Sequence, residues 1–365
     1  MERPIFKPVG TPSDELDTPS LVVDLDILEE NIEIMHGSVR EGRARLRPRV
    51  DIHCTPAIAH KQLAAGGTVG GITVMTLGQA EVFAQAGFSD ILVVNLVVTA
   101  PKIARLASLA RRTTVTVAVD AERNVGDLSA AATAAGVTLR AVVAISTGPG
   151  RFGVGAGQAA VDLARAISGA NGVEFAGLMA SEGQILEDDP DLLANATRDR
   201  LQPILDTREQ IEKAGMEVGT VIGGGSYNYE IAAAIDGITE VPTGRYALMD
   251  AELAPYLPQF RHAARVNSVV TSRPEDGVAI VDGGRKAIGS DTGMPSVDVP
   301  GAVVTSLSAE HGTLVLDAVQ PGFGDRVWFT PYDVGECVNL HDYMHVVRNG
   351  RLEAVWDIPA RGRYR

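Results

Sequence analysis

Two hydrophobic patterns divide the chain, and the first extends to about residue 257. Short uninterrupted runs of Val, Ile and Leu alternate there with longer segments whose apolar residues recur at helical spacing. Runs without polar alternation indicate parallel strands covered on both faces. About eight strand–helix units over roughly 230 residues favour a (β/α)8 TIM-like barrel over a doubly wound sheet. The first short apolar run of this part is 21–23, and the predicted strands that follow are 47–53, 71–76, 91–94, 115–119, 139–145, 175–179, 218–222, 240–241 and 246–249.

The second pattern, from about residue 258, consists of short strands separated by turn signals such as Asn349–Gly350, which predicts a hairpin. We therefore predict a smaller all-β domain at 258–365, a barrel at 21–257 and an irregular lead-in at 1–20 that is a candidate for packing on the β domain. The predicted strands of the β domain are 266–271, 278–281, 303–307, 314–316, 327–330, 344–347 and 352–356.

Composition narrows the class of protein. Hydrophobic residues make up 45% and charged residues 21% of 365, which suits a soluble protein with a substantial core. The net charge of −14 argues against nucleic acid as a partner, because the phosphate backbone would be repelled. Cys54 and Cys337 give no disulfide framework and suit a reducing cytosol. With no apolar run of membrane-spanning length and no signal-peptide core, we expect a cytoplasmic protein without a membrane partner.

The stretch from Arg47 to Pro56 is predicted to be a buried strand that runs into a helix, with Thr55 as N-cap and Pro56 at the first helical position. Alternate side chains of a strand share a face, so Arg49, Asp51 and His53 are expected to point the same way. Ionisable groups at a barrel strand end indicate a catalytic site. The alternative is that Asp51 only pairs with Arg49 and that His53 only caps a neighbouring loop.

Three further stretches are candidates for binding. A Gly-rich loop after the 139–145 strand carries Arg151, and the turn Gly223–Ser226 follows a strand directly. Consecutive glycines allow backbone N–H groups to surround an anion, although a tight strand-to-helix turn gives the same sequence. Tyr246 lies at the last predicted strand of the barrel. In the β domain, Asp333 and Cys337 belong to a cluster of carboxylate, thiol and imidazole groups that suggests a metal site, or else a polar loop.

These stretches together resemble the D-threonine aldolase / D-serine dehydratase family, whose N-terminal barrel is of the alanine racemase type (fold type III pyridoxal-phosphate enzymes). The resemblance covers most of the chain. It implies a barrel that binds the cofactor in a site closed by the β domain and by a second subunit. It therefore also implies a homodimer with the site near the subunit interface. The matching motifs are Thr18 to Asp26, Arg-Pro-x-Val at 47–50, 71–74, Gly-Arg-x-Gly-Val at 150–154, the triple glycine at 223–225, Tyr-x-x-Met-Asp at 246–250, 282–287, 310–312 and 338–342.

The chain departs from the family at the positions that carry chemistry. The family strand reads Arg-Pro-His-Val-Lys-Thr-His-Lys, and its first lysine forms the Schiff base. Here that position is Asp51, the second lysine is Cys54, and His53 is kept. No lysine of the chain lies at a predicted strand end of the barrel, where it could replace the Schiff-base lysine. The lysines of the chain are Lys7, Lys61, Lys102, Lys213 and Lys286.

Two further family elements are also altered. The family's metal ligands fall on Asp333 and Gly335, and the Tyr and His of its Ala-Tyr-Glu-Gly-His stretch become Ser181 and Gln184. The resemblance therefore implies a repurposed site.

Three hypotheses follow. The first is a carbon–carbon or carbon–oxygen lyase, a retro-aldolase or dehydratase, which acts on a small anionic β-hydroxy carbonyl or acid substrate with a divalent metal (Mg, Mn or Zn) and without pyridoxal phosphate. Its catalytic candidates are Asp51, His53, Arg49 and Arg151, and its metal candidates are Asp51, His53, Asp333 and Cys337. The second keeps pyridoxal phosphate without a Schiff-base lysine, bound through Gly223, Gly224, Gly225, Ser226 and Tyr246, for β-hydroxy-D-amino acids. The third is a ligand-binding relative without catalysis.

Overall fold

The computed structural model describes residues 6–148, 151–317 and 320–365. The chain separates into two compact units, a barrel unit and a β unit. The barrel unit comprises Met35–Asp51, Ala59–Gly244 and Gly362–Arg365. The β unit comprises Met1–Ile34, Ile52–Ile58 and Arg245–Arg361.

The strands of the described residues are β1 (Ser20–Asp24), β2 (Arg45–Pro48), β3 (Ile72–Val74), β4 (Asp90–Val93), β5 (Thr114–Val119), β6 (Leu139–Ser146), β7 (Val173–Ser181), β8 (Thr220–Ile222), β9 (Glu240–Thr243), β10 (Ala264–Ser272), β11 (Val278–Val281), β12 (Ser296–Val297), β13 (Val303–Leu307), β14 (Gly312–Val315), β15 (Arg326–Thr330), β16 (Tyr343–Arg348) and β17 (Arg351–Asp357). The helices are α1 (Leu25–Val39), α2 (Pro56–Ala64), α3 (Leu77–Gln85), α4 (Ala100–Leu109), α5 (Glu122–Ala135), α6 (Gln158–Ser168), α7 (Pro190–Lys213), α8 (Tyr229–Ala234), α9 (Arg285–Ile288) and α10 (Val334–Asn339). None of these helices is both long enough and apolar enough to cross a membrane.

The barrel unit is a (β/α)8 barrel, as predicted. Its parallel strands follow the order β2-β9-β8-β7-β6-β5-β4-β3, and α2 to α8 connect successive strands. Parallel bridges Leu46↔Thr68 and Arg49↔Thr73 join the first strand to the last in that order, so the sheet closes on itself. The apolar core cluster of its strands consists of Leu92, Ala118, Val142, Ala144, Ala176, Met179 and Ile222.

A buried ion network ties three barrel strands together at the ends where β4 and β9 begin. Arg47 Nε lies 2.5 Å from Glu240 Oε2 on β9, and its Nη1 lies 3.1 Å from Asp90 Oδ2 on β4. A Cβ at Gly71 would overlap Asp90 Oδ2, so only glycine leaves room for this pair. The network lies opposite to the C-terminal strand ends, where barrels place catalytic groups.

The β unit contains a sheet in the order β13-β14-β11-β10-β1-β16-β17, with β15 paired to β10 and β12. Strands β11 and β13 have the predicted bounds. The β16–β17 hairpin turns at Asn349–Gly350, where φ is 49° and 70°, as a two-residue turn with two left-handed residues requires.

Three predicted segments differ from the structure in more than their exact bounds. The apolar run 21–23, predicted to begin the barrel, lies in β1, which pairs with β10 and β16 in the β unit. The 246–249 segment begins as a 3-10 helix, Arg245–Ala247, and is not a strand. The strand predicted at 47–53 ends at Pro48, and residues 50–53 form a turn. Its ladder with β9 ends at the pair Pro48↔Thr243, because Thr243 is the last residue of β9, and the Arg49 and Val50 N–H groups then bond the Thr243 and Thr73 carbonyls.

Candidate active site

The turn after β2 brings Arg49 and Asp51 together. Arg49 Nη2 lies 2.8 Å from Asp51 Oδ2, and its Nε lies 3.2 Å from Oδ1, so the guanidinium contacts both carboxylate oxygens. The Asp51 side chain is 8% exposed and the Arg49 side chain 34% exposed. Arg49 also lies 3.5 Å from the Met75 sulfur, after β3. The Arg49–Asp51 pair, which the sequence analysis gave as the alternative to a catalytic role for Asp51, is therefore present.

His53 lies in the β unit and is fully buried. Its Nδ1 accepts a hydrogen bond from the Thr55 backbone N–H at 3.2 Å, which places the proton of a neutral ring on Nε2. Helix α2 begins at Pro56, as predicted. The Thr55 hydroxyl donates to the Asp357 carbonyl. The expectation that His53 shares a strand face with Asp51 is wrong, because both residues lie in a turn.

The glycine turn after β8 has its glycine N–H groups bound within the barrel unit. Gly223 N–H donates to the Glu240 carbonyl at 3.1 Å, Gly225 N–H donates to Asn228 Oδ1 at 2.8 Å, and Gly224 N–H donates to Glu182 Oε1. Gly224 has a φ of +86°, which favours glycine. The anion that this turn binds is therefore a side chain of the protein itself.

Ser226, the last residue of the predicted anion-binding turn, is buried. Its hydroxyl accepts a hydrogen bond from the Gly244 N–H at 3.0 Å, after β9. This contact joins the turns that follow two neighbouring barrel strands.

Glu182 follows β7 directly and is the carboxylate bound by the glycine turn. It is 5% exposed, and its Oε2 is buried without a hydrogen-bond partner among the described residues. Burial raises the pKa of this carboxyl to about 7, against the opposing effects of the Gly224 N–H and the Arg200 guanidinium. A carboxyl in that range can both release and accept a proton near neutral pH.

Arg200 and Tyr227 complete this cluster. Arg200, on α7, donates from Nη1 to the Glu182 carbonyl, and the Tyr227 hydroxyl donates to the Gly183 carbonyl at 2.5 Å. Burial and the Glu182 carboxylate raise the pKa of Tyr227 above its ordinary value, while Arg200 and Arg49 oppose that shift. Tyr227 is therefore a neutral hydrogen-bond donor. These residues and the Arg49–Asp51 pair together form a cluster of two cations, two carboxylates and one phenol.

Arg151 lies exposed in the loop after β6. Its neighbour Gly150, part of the motif that drew attention to it, lies outside the described residues.

The predicted metal ligands of the β unit are engaged within the protein. Asp333 caps α10 by accepting the Glu336 N–H at 2.9 Å, and its Oδ2 lies 4.0 Å from Arg245 Nη2. Cys337 is fully buried within α10, where its thiol donates to the Ala287 carbonyl at 3.5 Å. Burial raises the pKa of that thiol, with smaller contributions from the neighbouring carboxylates. Across the described residues, no group of three or more His, Cys, Asp or Glu is placed to hold a metal ion.

Tyr246, predicted to bind the cofactor, is fully enclosed in the β unit. Its ring packs against Phe260 with ring centroids 5.9 Å apart.

Sequence reasoning did not single out Glu182, Arg200 or Tyr227 as site residues. Glu182 could have been found as the carboxylate directly after the 175–179 strand, and Tyr227 as the aromatic residue that ends the glycine turn. Arg200 gives no such signal, because it is one of several charged residues on a long helix.

Comparison with known proteins agrees with this architecture. Residues 23–250 match the family model described as alanine racemase, N-terminal domain, and residues 263–347 match a putative serine dehydratase domain. A D-threonine aldolase of Arthrobacter sp. is 33% identical over 97% of this chain and 95% of its own length. A 3-hydroxy-D-aspartate aldolase of Paracoccus denitrificans is 32% identical over 97% and 94% of the two chains.

Solved structures give the same result. The crystal structure of D-threonine aldolase from Filomicrobium marinum superposes with a TM-score of 0.94 at 36% identity, covering 98% of this chain and 99% of the other. The fold and the strand-end cluster thus define a protein of the alanine-racemase-like barrel class with a C-terminal β domain. The chain belongs to the D-threonine aldolase / D-serine dehydratase family and is a lyase.

Proposed function

We propose that this chain is a carbon–carbon or carbon–oxygen lyase that uses no Schiff base and acts on small anionic β-hydroxy carbonyl compounds, such as 4-hydroxy-2-oxo acids, whose hydroxyl is β to the ketone. The observation that carries the proposal is the Asp51–Arg49 pair after β2. By the motif resemblance, Asp51 stands where relatives have the aldimine lysine. A carboxylate cannot form an imine, so the electron sink must come from the substrate. The relatives' names supply the rest of the substrate class, since D-threonine and 3-hydroxy-D-aspartate are β-hydroxy acids.

Pyridoxal phosphate, which the family implies, does not fit the residues present. Its aldehyde would meet Asp51 instead of an amine. At the glycine turn, Gly223, Gly224 and Gly225 all give their N–H groups to protein acceptors, and one of these acceptors is the Glu182 carboxylate. A phosphate placed there would compete with that carboxylate and be repelled by it. The proposed reaction therefore has no step that uses this cofactor.

A divalent metal does not fit the predicted donor set either. Asp51 gives both oxygens to Arg49, and His53 gives Nδ1 to the Thr55 N–H. Asp333 caps a helix, and Cys337 is a buried thiol whose raised pKa disfavours the thiolate that binds metal. Each predicted ligand thus has at least one of its donor atoms engaged within its own unit. The metal dependence predicted from composition is not part of the proposal.

The barrel residues can support the reaction in the following way. Arg49, oriented by Asp51 and one-third exposed, binds the anionic group of the substrate. Arg200 and Arg49 place positive charge around Tyr227, where a carbonyl oxygen that gains charge on bond cleavage would be stabilised. When substrate binds, the neutral Tyr227 hydroxyl can turn from the Gly183 carbonyl and donate its one proton to the same oxygen. These residues supply binding and charge stabilisation without a cofactor.

The test is a comparison of two substrate classes with the purified protein. We expect release of an aldehyde and a 2-oxo acid from 4-hydroxy-2-oxo acids, at rates that do not change on addition of pyridoxal phosphate or of a chelator. D-threonine and D-3-hydroxyaspartate are the comparison substrates. Turnover of the D-amino acids that requires added pyridoxal phosphate would overturn the proposal, and so would turnover of neither class.

The homodimer with its site near the subunit interface and the cytoplasmic location remain predictions. Light scattering coupled to gel filtration tests the first, with a mass of twice 38.4 kDa expected.

A further inference from the structure

The Glu182 carboxylate, at the C-terminal end of the barrel, has one oxygen atom that accepts no hydrogen bond from the described residues. Glu182 Oε1 is held by the Gly224 N–H, while Oε2 is buried without a hydrogen-bond partner among the described residues. A buried carboxylate oxygen without a partner is costly, and most are satisfied by protein or water. The position suits a donor that arrives with the substrate.

Groups from several elements surround Glu182, and their effects on the protonation of its carboxyl oppose one another. Arg200 approaches from α7 and binds the Glu182 carbonyl, Gly224 presents its N–H from the turn after β8, and Tyr227 lies beside it from the same turn. Arg49 acts on Tyr227 from the turn after β2. Burial outweighs these favourable contacts and raises the pKa of Glu182 to about 7.

The other candidate bases of the cluster around Tyr227 are unsuited to accept a proton. Asp51 has both oxygens on Arg49. Tyr227 has a pKa raised by burial and by the Glu182 carboxylate, so it stays protonated. The positions at which the family stretch has Tyr and His are Ser181 and Gln184, which are weak bases. Glu182 lies between them.

We propose that Glu182 is the proton carrier of this lyase, with Oε2 accepting the proton of the substrate's β-hydroxyl while Oε1 stays on the Gly224 N–H. This inference rests on the proposed function and names the residue that moves the proton. In the cleavage direction, the O–H electron pair becomes the C=O bond of the aldehyde, and the bond between the two substrate fragments breaks. Its electron pair forms the enolate of the remaining carbonyl fragment. Glu182 then returns the proton to the enolate carbon and becomes a carboxylate again, so no oxidant or reductant is needed.

The alternative is that Glu182 only stabilises the glycine turn. Glu182→Gln separates the two roles, because the amide oxygen can still accept the Gly224 N–H but cannot take up a proton. Glu182→Asp keeps the acid on a shorter side chain. Glu174→Gln is the matched control, since Glu174 lies on the same strand, far from Glu182, in an exposed ion pair with Arg140.

The experiment has a readout without substrate and one with substrate. First, the ¹⁵N–¹H signal of Gly224 is followed against pH. It should shift with a midpoint near 7 in the parent protein and in Glu174→Gln, and this shift should be absent in Glu182→Gln. Second, kcat for 4-hydroxy-2-oxo acid cleavage should fall by about 10²- to 10⁴-fold in Glu182→Gln with little change in KM. Glu182→Asp should retain the acidic limb of the pH–rate profile.

The outcomes separate the inference from the function on which it rests. A Gly224 signal that does not titrate overturns the inference whatever the activity. Turnover by the parent protein that is unchanged in Glu182→Gln, with the same pH–rate profile, overturns the inference and leaves the proposed function standing. Absence of turnover in the parent protein overturns both.

Discussion

Arg49 binds both carboxylate oxygens of Asp51, with Nη2 2.8 Å from Oδ2 and Nε 3.2 Å from Oδ1. Two parallel contacts of this kind fix the plane of the guanidinium as well as its position. Asp51 is nearly buried and Arg49 is one-third exposed, so the carboxylate is the inner partner and the cation faces outward. In the proposed function, Asp51 fixes the Arg49 guanidinium in place, and Arg49 binds the anionic group of the substrate.

Replacement of Asp51 tests that role. Asp51→Lys places an ammonium against the Arg49 guanidinium, whereas Asp51→Asn keeps one oxygen that can accept from Arg49. We expect Asp51→Lys to lower the free energy of unfolding by about 1–3 kcal/mol, less than for a fully buried pair because Arg49 is partly exposed. KM should rise in both variants and more strongly in Asp51→Lys. Urea unfolding and steady-state kinetics measure the two effects. Formation of an aldimine by Asp51→Lys with added pyridoxal phosphate would contradict the argument that the glycine turn, occupied by the Glu182 carboxylate, does not accept the phosphate of that cofactor.

The raised pKa of Glu182 predicts the direction in which the free energy of unfolding changes with pH. The folded-state pKa of about 7 lies above the ordinary value of 4.5, so the folded protein binds more protons than the unfolded chain between these values. Stability from this group is therefore complete below pH 4.5 and is lost as the pH rises through 7. At about 1.4 kcal/mol per pKa unit, the loss is about 3 kcal/mol.

Glu182→Gln carries no such titration. Its free energy of unfolding relative to the parent protein should therefore increase between pH 5 and pH 8. Urea unfolding at several pH values measures this difference. Parallel pH profiles for the two proteins would mean that Glu182 does not titrate in this range.

A methyl group at Gly225 tests the position of Tyr227. An added Cβ would lie 2.8 Å from Tyr227 Cε1, so Gly225→Ala must displace the ring that donates to the Gly183 carbonyl. We expect a loss of about 1–3 kcal/mol in stability and a lower kcat. Gly126→Ala is the control, because a Cβ in the middle of α5 meets nothing within 4 Å, and it should be neutral or slightly stabilising. Equal behaviour of the two variants would show that the glycine turn does not constrain Tyr227.

The buried thiol of Cys337 should be inert in the folded protein. Its pKa is raised by burial and by nearby carboxylates, and the thiolate is the reactive form. Iodoacetamide should therefore modify Cys337 only after unfolding in urea, as followed by mass spectrometry. Rapid alkylation of the native protein, or a loss of bound metal in Cys337→Ala, would restore the metal prediction.

Local signals in the sequence were sufficient for much of the fold. Strand β11 is an apolar run bounded by turns, and its bounds were predicted to the residue. Asn349–Gly350 marks a hairpin because both residues adopt positive φ readily. The barrel followed from the repeated strand–helix pattern.

The site depends on contacts that no local pattern contains. The strand at Arg47 ends at Pro48, where its ladder with β9 ends, and the length of that partner cannot be read from the residues around Asp51. Glu182 acquires its role because β7 and β8 are neighbours, which brings Gly224, some forty residues further along the chain, onto its carboxylate. The burial of the Cys337 thiol could not be predicted either, because composition shows a thiol but not what surrounds it.

The most direct test of the central claim, catalysis without a Schiff base, is borohydride trapping. The protein is supplied with pyridoxal phosphate and a 4-hydroxy-2-oxo acid, reduced with borohydride during turnover, and its intact mass is measured. Reduction converts any imine on a lysine into a stable amine, which adds the mass of the bound group. We predict product formation and an unmodified protein mass. A pyridoxyl or substrate adduct on any lysine, formed in proportion to loss of activity, would contradict the account.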